Sequence, residues 1–148
     1  MCSPPSTLQD IKNGGTPLHW AKNKEIAVAL IEAGCHIDAK NFNGDTALHL
    51  ACHHGRLECV MALVSNGAKI DLKDQEGNTP LHLACQMGHD SLVKALLVFD
   101  ADYGEKNEKN ETASIVAQSE FVVSQWLGIM ARTRGVPLKW ITPVDMIL

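Results

Sequence analysis

Six residues recur along this chain in a single frame: Thr16-Pro17-Leu18-His19-Trp20-Ala21, Thr46-Ala47-Leu48-His49-Leu50-Ala51, Thr79-Pro80-Leu81-His82-Leu83-Ala84 and, more loosely, Thr112-Ala113-Ser114-Ile115-Val116-Ala117. The threonines lie 30, 33 and 33 residues apart. A fixed period near 33 means that each period is one supersecondary unit, which buries its apolar face only by stacking on the next. The hexad reads as the start of a helix. A threonine oxygen can accept an orphan N–H of the first turn. Proline follows at 17 and 80, where its fixed φ suits the first helical position and its missing N–H costs nothing. At 148 residues there is room for one domain.

The frame predicts units over 11–40, 41–73, 74–106 and 107–135, with a segment 1–10 before them and a stretch 136–148 after them. Units two and three carry glycine in the turn before the hexad, at Asn43-Gly44-Asp45 and Glu76-Gly77-Asn78, as a positive-φ position demands. Their second helices show apolar stripes with a period near 3.6: Leu57, Val60, Met61, Leu63 and Val64, then Leu92, Val93, Leu96 and Leu97. They stop at Asn66-Gly67 and at Asp100, which stands in place of glycine. The first unit is three residues short. Nothing in it lies opposite His53-His54-Gly55, so Lys22-Asn23-Lys24 must make a tight link, with Ile26, Leu30 and Ile31 facing the core. In the fourth unit Asn110 replaces the turn glycine, which the left-handed region tolerates. Phe121, Val122, Trp126, Leu127 and Met130 supply its second apolar face. Such divergence is expected of a terminal unit that packs on one side only. The stretch 136–148 breaks the period with Pro137 and Pro143 and ends on apolar residues, the pattern of a tail or of the start of a linker to a further domain.

Period and hexad together resemble the ankyrin repeat, one β-turn plus two antiparallel helices per unit, which implies an all-α solenoid of about four helix-turn-helix units with hairpin tips. In that family the hexad histidine is a structural clamp that bonds the threonine and neighbouring turn backbone, which is the role expected of His19, His49 and His82. The resemblance also implies where a partner would bind: a groove formed by the hairpin tips and the exposed side of the first helices. The residue after the hexad histidine usually faces that groove and is Trp20, Leu50, Leu83 or Val116, an apolar stripe that either meets a partner or packs between adjacent first helices. The tips add Phe42, Asn43, Gln75 and Glu76, and His53, His54, Gln86 and Met87 extend the same face. Phe42 is the preferred anchor, because an aromatic at a turn tip has little to pack on within its own repeat. The partner expected is another protein or a self-associating copy.

A narrower resemblance rests on Thr16-Pro17-Leu18-His19-Trp20-Ala21-Lys22-Asn23, the short first unit ending in Gly34-Cys35, and Lys94-Ala95-Leu96-Leu97-Val98-Phe99. These look like the ankyrin region that precedes the patatin-like lipase domain of calcium-independent phospholipase A2 enzymes. The family's chemistry needs a glycine-rich oxyanion loop and a Gly-x-Ser-x-Gly nucleophile. No serine here has glycines two residues to each side, so that activity is carried onto no residue of the chain. The chain is expected to be a non-catalytic interaction module, or else the regulatory or oligomerising ankyrin part of such a phospholipase.

Other classes are weighed down by composition and spacing. A net charge of −4 gives no hint of nucleic acid or an anionic membrane as partner. No apolar run approaches the length that spans a bilayer, and 1–10 lacks the pattern of a signal peptide. Five cysteines are an odd count, and Cys52, Cys59 and Cys85 fall in predicted helices, which fits free thiols in a reducing cytoplasm. Cys52-His53-His54 with Cys59, and Cys85 with His89, lack the paired spacing of a zinc site. No metal and no cofactor are expected.

Overall fold

A computed structural model describes residues 14–117. The segment 1–10, the apolar face from Phe121 to Met130 and the stretch 136–148 lie outside the described residues. Within them are seven helical segments and no strand: α1 (Pro17–Trp20, of 3-10 geometry), α2 (Lys24–Glu32), α3 (Ala47–His53), α4 (Leu57–Ser65), α5 (Pro80–Gln86), α6 (Asp90–Val98) and α7 (Ala113–Val116). First helices stack on one another, α1 on α3, α3 on α5 and α5 on α7. Second helices form a parallel layer behind them, α2 on α4 and α4 on α6. The hexad leucines Leu48 and Leu81 fill the core with Cys52, Val60, Leu63, Cys85, Leu92, Val93, Leu96 and Leu97.

The second and third hexads start their helices with a threonine side-chain cap, whereas Thr16 and Thr112 make no such bond. The side chains of Thr46 and Thr79 accept from His49 N and His82 N. The histidines then tie unit to unit. Thr16, Thr46 and Thr79 donate their N–H to Nδ1 of His19, His49 and His82 at 2.9, 3.1 and 3.2 Å. That fixes the neutral tautomer with hydrogen on Nε2. Nε2 donates to the next unit's turn, at Asp45 O (2.8 Å), Asn78 O (2.9 Å) and Glu111 O (2.8 Å). Burial lowers the pKa of His19 and His49, which keeps them neutral.

Three further ladders repeat with the period. Gln75 N donates to Asn43 O (3.1 Å) and Glu108 N to Glu76 O (3.0 Å), so successive tips are joined through their backbones. Lys40 Nζ reaches Lys73 O and Lys73 Nζ reaches Lys106 O, at 3.0 and 2.9 Å. Asp38 accepts from Lys69 N and Asp71 from Asp102 N, both at 2.9 Å. Because the tips touch, the turn glycines are fixed twice over. Gly44 has φ +77, and a Cβ there would stand 2.8 Å from Gln75 N; at Gly77 the figures are +76 and 2.8 Å from Glu108 N. The glycine substitutes behave as the sequence implies, with Asp100 at φ 73 and Asn110 at φ 63.

The short first unit is closed by its neighbour. In units two and three the hexad's last carbonyl accepts from the inter-helix turn, Ala51 O from Arg56 N (2.9 Å) and Ala84 O from His89 N (3.0 Å). Unit one has no such turn. Ala21 leaves the helix extended at φ −61, ψ 122, and Asn23 caps α2 by accepting from Ile26 N at 2.9 Å. The orphaned Ala21 O is taken up from unit two, by Arg56 Nη1 at 3.3 Å and Cys59 Sγ at 3.6 Å. Ala117 ends α7 in nearly the same conformation, φ −62 and ψ 128, so the fourth unit's first helix is cut as short as the first unit's.

Candidate binding surface

Which hexad positions reach the open face is decided by neighbouring first helices. Trp20, on the outermost, is 50% exposed; Leu50 and Val116 are half-buried; Leu83, between α3 and α7, is only 9% exposed. Leu83 therefore takes the packing role open to this stripe, between adjacent first helices. His53, His54, Gln86 and Met87 are exposed at the ends of α3 and α5. The rings of His53 and His54 meet edge to face with centroids 5.0 Å apart, and His89 Nε2 lies 3.1 Å from His53 O.

The tips rise beside this face. Asn43, Gln75 and Glu76 are exposed, and Gln75 Nε2 donates to Phe42 O. Phe42 is 59% exposed, and the neighbour its ring does meet belongs to the preceding unit rather than to its own repeat. It covers Gly14, where a Cβ would come within 2.6 Å of the ring. Trp20 covers the adjacent Gly15, where a Cβ would stand 3.4 Å from its ring. Two exposed aromatic rings thus lean on consecutive glycines at one end of the groove. Farther along, Glu76, Asn78, Gln86, Asn107, Glu108, Lys109, Glu111 and Val116 line a recess of about 110 Å³.

The second helices expose a surface that the sequence pattern hid. Leu57, Met61 and Ile26 belong to the apolar stripes of the second helices, yet Met61 is 42% exposed and the other two are exposed as well. A 3.6-residue stripe marks an apolar arc, and on a layer of parallel helices the edge of that arc faces water. Val28, Leu57, Met61 and Ala62 line a groove of about 480 Å³ between α2 and α4, with Lys24, Glu58, Ser65 and Asn66 around its rim.

Among the described residues, Asp45, His49 and Asp74 bring ligand-type atoms within 4.8 Å of one another. His49 has no free nitrogen for a metal, because Nδ1 accepts from Thr46 N and Nε2 is occupied by Asn78 O. Cys35, Cys52, Cys59 and Cys85 are buried and unbridged. Burial pushes the Cys85 thiol up to about 12 and raises Cys52 further, so both are protonated apolar fillers. No helix among the described residues is long and apolar enough to cross a membrane.

Comparison with known proteins agrees with this geometry. The family profile described as ankyrin repeats (3 copies) matches residues 22–110. The 85/88 kDa calcium-independent phospholipase A2 of Rattus norvegicus is 47% identical over 53 residues, which are 36% of this chain and 7% of that protein. NF-kappa-B inhibitor alpha of Sus scrofa is 52% identical over 48 residues, 30% of this chain and 15% of that protein. Poly [ADP-ribose] polymerase tankyrase of Caenorhabditis elegans is 53% identical over 47 residues, 30% of this chain and 2% of that protein. The chain thus spans a small part of the length of each of these relatives, and the similarity is confined to the repeats. With its period, histidine clamps and stacked tips, the chain belongs to the ankyrin-repeat family.

Proposed function

We propose that this chain is a non-catalytic protein-interaction module that holds its partner along the face of the hairpin tips and first helices. The observation that carries the reading is the pair of exposed rings, Phe42 and Trp20, seated on Gly14 and Gly15 at one end of the groove. Large aromatics left in water at the edge of a polar groove are the usual anchors of an interface. Phe42→Ala is expected to weaken binding of a purified partner roughly 5- to 150-fold, the equivalent of about 1–3 kcal/mol, with little change in melting temperature. Trp20→Ala is expected to reduce both. Undiminished affinity in the Phe42 variant would move the interface elsewhere, with the groove between α2 and α4 next in line.

The identity with the rat phospholipase favours a second reading, that the chain is the regulatory ankyrin part of such an enzyme. Coding sequence downstream of Leu148 separates the two: a Gly-x-Ser-x-Gly elbow in a patatin-like domain supports the phospholipase, and unrelated sequence after a stop codon supports a stand-alone adaptor. Under either reading the purified chain releases no fatty acid from phospholipid, since no serine in it sits in a nucleophile elbow. Turnover abolished by replacing one of its serines would contradict this.

A further inference from the structure

The junction between the third and fourth units carries an amide pair, with Asn107 Nδ2 donating to Asn78 Oδ1 at 3.0 Å. One period earlier, the same two positions at the junction of units two and three hold Asp45 and Asp74. Two carboxylates offer acceptors only, so this junction lacks the donor that its neighbour has. Yet the fold brings the two side chains together, with oxygens within 4.8 Å, and Asp45 Oδ1 is buried with no hydrogen-bond partner. We propose that Asp45 and Asp74 share one proton across the junction of the second and third units, so that this junction is tighter in mildly acid than in mildly alkaline solution.

The surroundings assign the proton to Asp45. Asp74 Oδ1 already accepts from Glu76 N (2.9 Å) and Asn78 N (3.0 Å), which makes it the acceptor of the pair. Among the described residues no basic group replaces the missing donor. From the first unit, His19 Nε2 is engaged by the main-chain oxygen of Asp45, not its carboxyl. Within the second unit, both ring nitrogens of His49 are occupied and Lys40 Nζ is bound to Lys73 O. The third unit presents Asp74 and Glu76, both acidic. Burial first, then the adjoining Asp74 side chain and the negative charges of Asp74 and Glu76, push the Asp45 carboxyl up to about 7.

A folded pKa above the unfolded one means that the folded chain holds this proton where the unfolded chain has lost it. The stabilisation is complete below the unfolded value of 3.8 and is lost as pH rises through about 7. Asparagine at either position supplies a permanent donor, as Asn107 does one unit later.

The test combines an NMR titration of the Asp45 side-chain carbonyl with urea melts of the full chain, of Asp45→Asn and of Asp74→Asn. In the wild type Asp45 is expected to titrate near 7, and in Asp74→Asn well over one pH unit lower. The urea midpoint of Asp45→Asn should meet the wild-type value at about pH 5 and exceed it at about pH 8. Titration of Asp45 in the ordinary carboxylate range would overturn the proposal, as would an equal difference between the two midpoints at both pH values. Millimolar magnesium, calcium or zinc is expected to leave the wild-type midpoint at pH 8 unchanged. A rise that Asp45→Asn abolishes would show a cation bridging the pair in place of the proton, and would overturn it too.

Discussion

His49 is fully buried with both ring nitrogens engaged, one inside its own unit and one on the next. Removing such a ring strands Thr46 N away from water, at about 1–3 kcal/mol, and takes one of two donors from Asn78 O, which still accepts from Asp74 N at 3.0 Å. His49→Ala should therefore destabilise the stack by roughly 2–4 kcal/mol in urea melts, from one unsatisfied N–H and one lost bond. Leu48→Ala, at an equally buried position, is expected to cost about 2–5 kcal/mol through lost transfer energy and cavity. Thr79→Ala removes a cap bond, at roughly 0.5–2 kcal/mol. A Thr79 variant less stable than the Leu48 variant would contradict this assignment of cap and core. The lowered pKa values of His19 and His49 have a sign opposite to that of Asp45. Their stabilisation is complete above the unfolded value of 6.5 and is lost as pH falls through the folded values. Urea melts of His49→Gln, compared with wild type between about pH 7 and pH 5, should show the smaller loss on acidification.

At the scale of the element, the turn glycines separate conformational strain from crowding. Gly44 and Gly67 both have positive φ, at +77 and +95, but a Cβ on Gly44 would meet the backbone of the next tip while one on Gly67 would meet nothing. Gly44→Ala should therefore be the more destabilising of the two, by about 1 kcal/mol or more beyond the cost of positive φ; equal melting temperatures would contradict the close stacking of tips. The helix starts and turns were legible in the sequence because each is a local pattern repeated at a fixed spacing, from Thr46 to Asn110, while the histidine clamps were implied by the resemblance to ankyrin repeats. The tight link at Lys22-Asn23-Lys24 was legible too, but its repair by Arg56 and Cys59 was not, since that bond crosses 35 or more residues. Nor could the hexad show that α7 ends as early as α1, because the difference lies in the ψ of Ala117. The exposure of Leu57 and Met61 was hidden for a different reason: a stripe gives the direction of the core but not how far the neighbouring helix covers it.

The whole molecule is a quasi-one-dimensional stack whose two broad faces differ in chemistry. The face of the tips and first helices combines exposed rings, tip amides and an acidic recess, while the face of the second helices has an apolar groove between α2 and α4 with Lys24 and Glu58 at its rim. Of the candidate residues, Trp20, Phe42, Asn43, His53, His54, Gln75, Glu76, Gln86 and Met87 are exposed and share the tips or first helices, Leu50 is half-buried, and Leu83 lies beneath them. Surface exposure alone does not choose between the faces, whereas a footprint of the bound partner does. Amide hydrogen exchange of the chain, free and in complex with a purified partner, measures that footprint directly. Slowed exchange in the complex is expected at the tips 41–45 and 74–78 and at the first-helix ends 50–54 and 83–87. Protection confined to α2 and α4, with the tips unchanged, would contradict a partner held on the face of the tips and first helices.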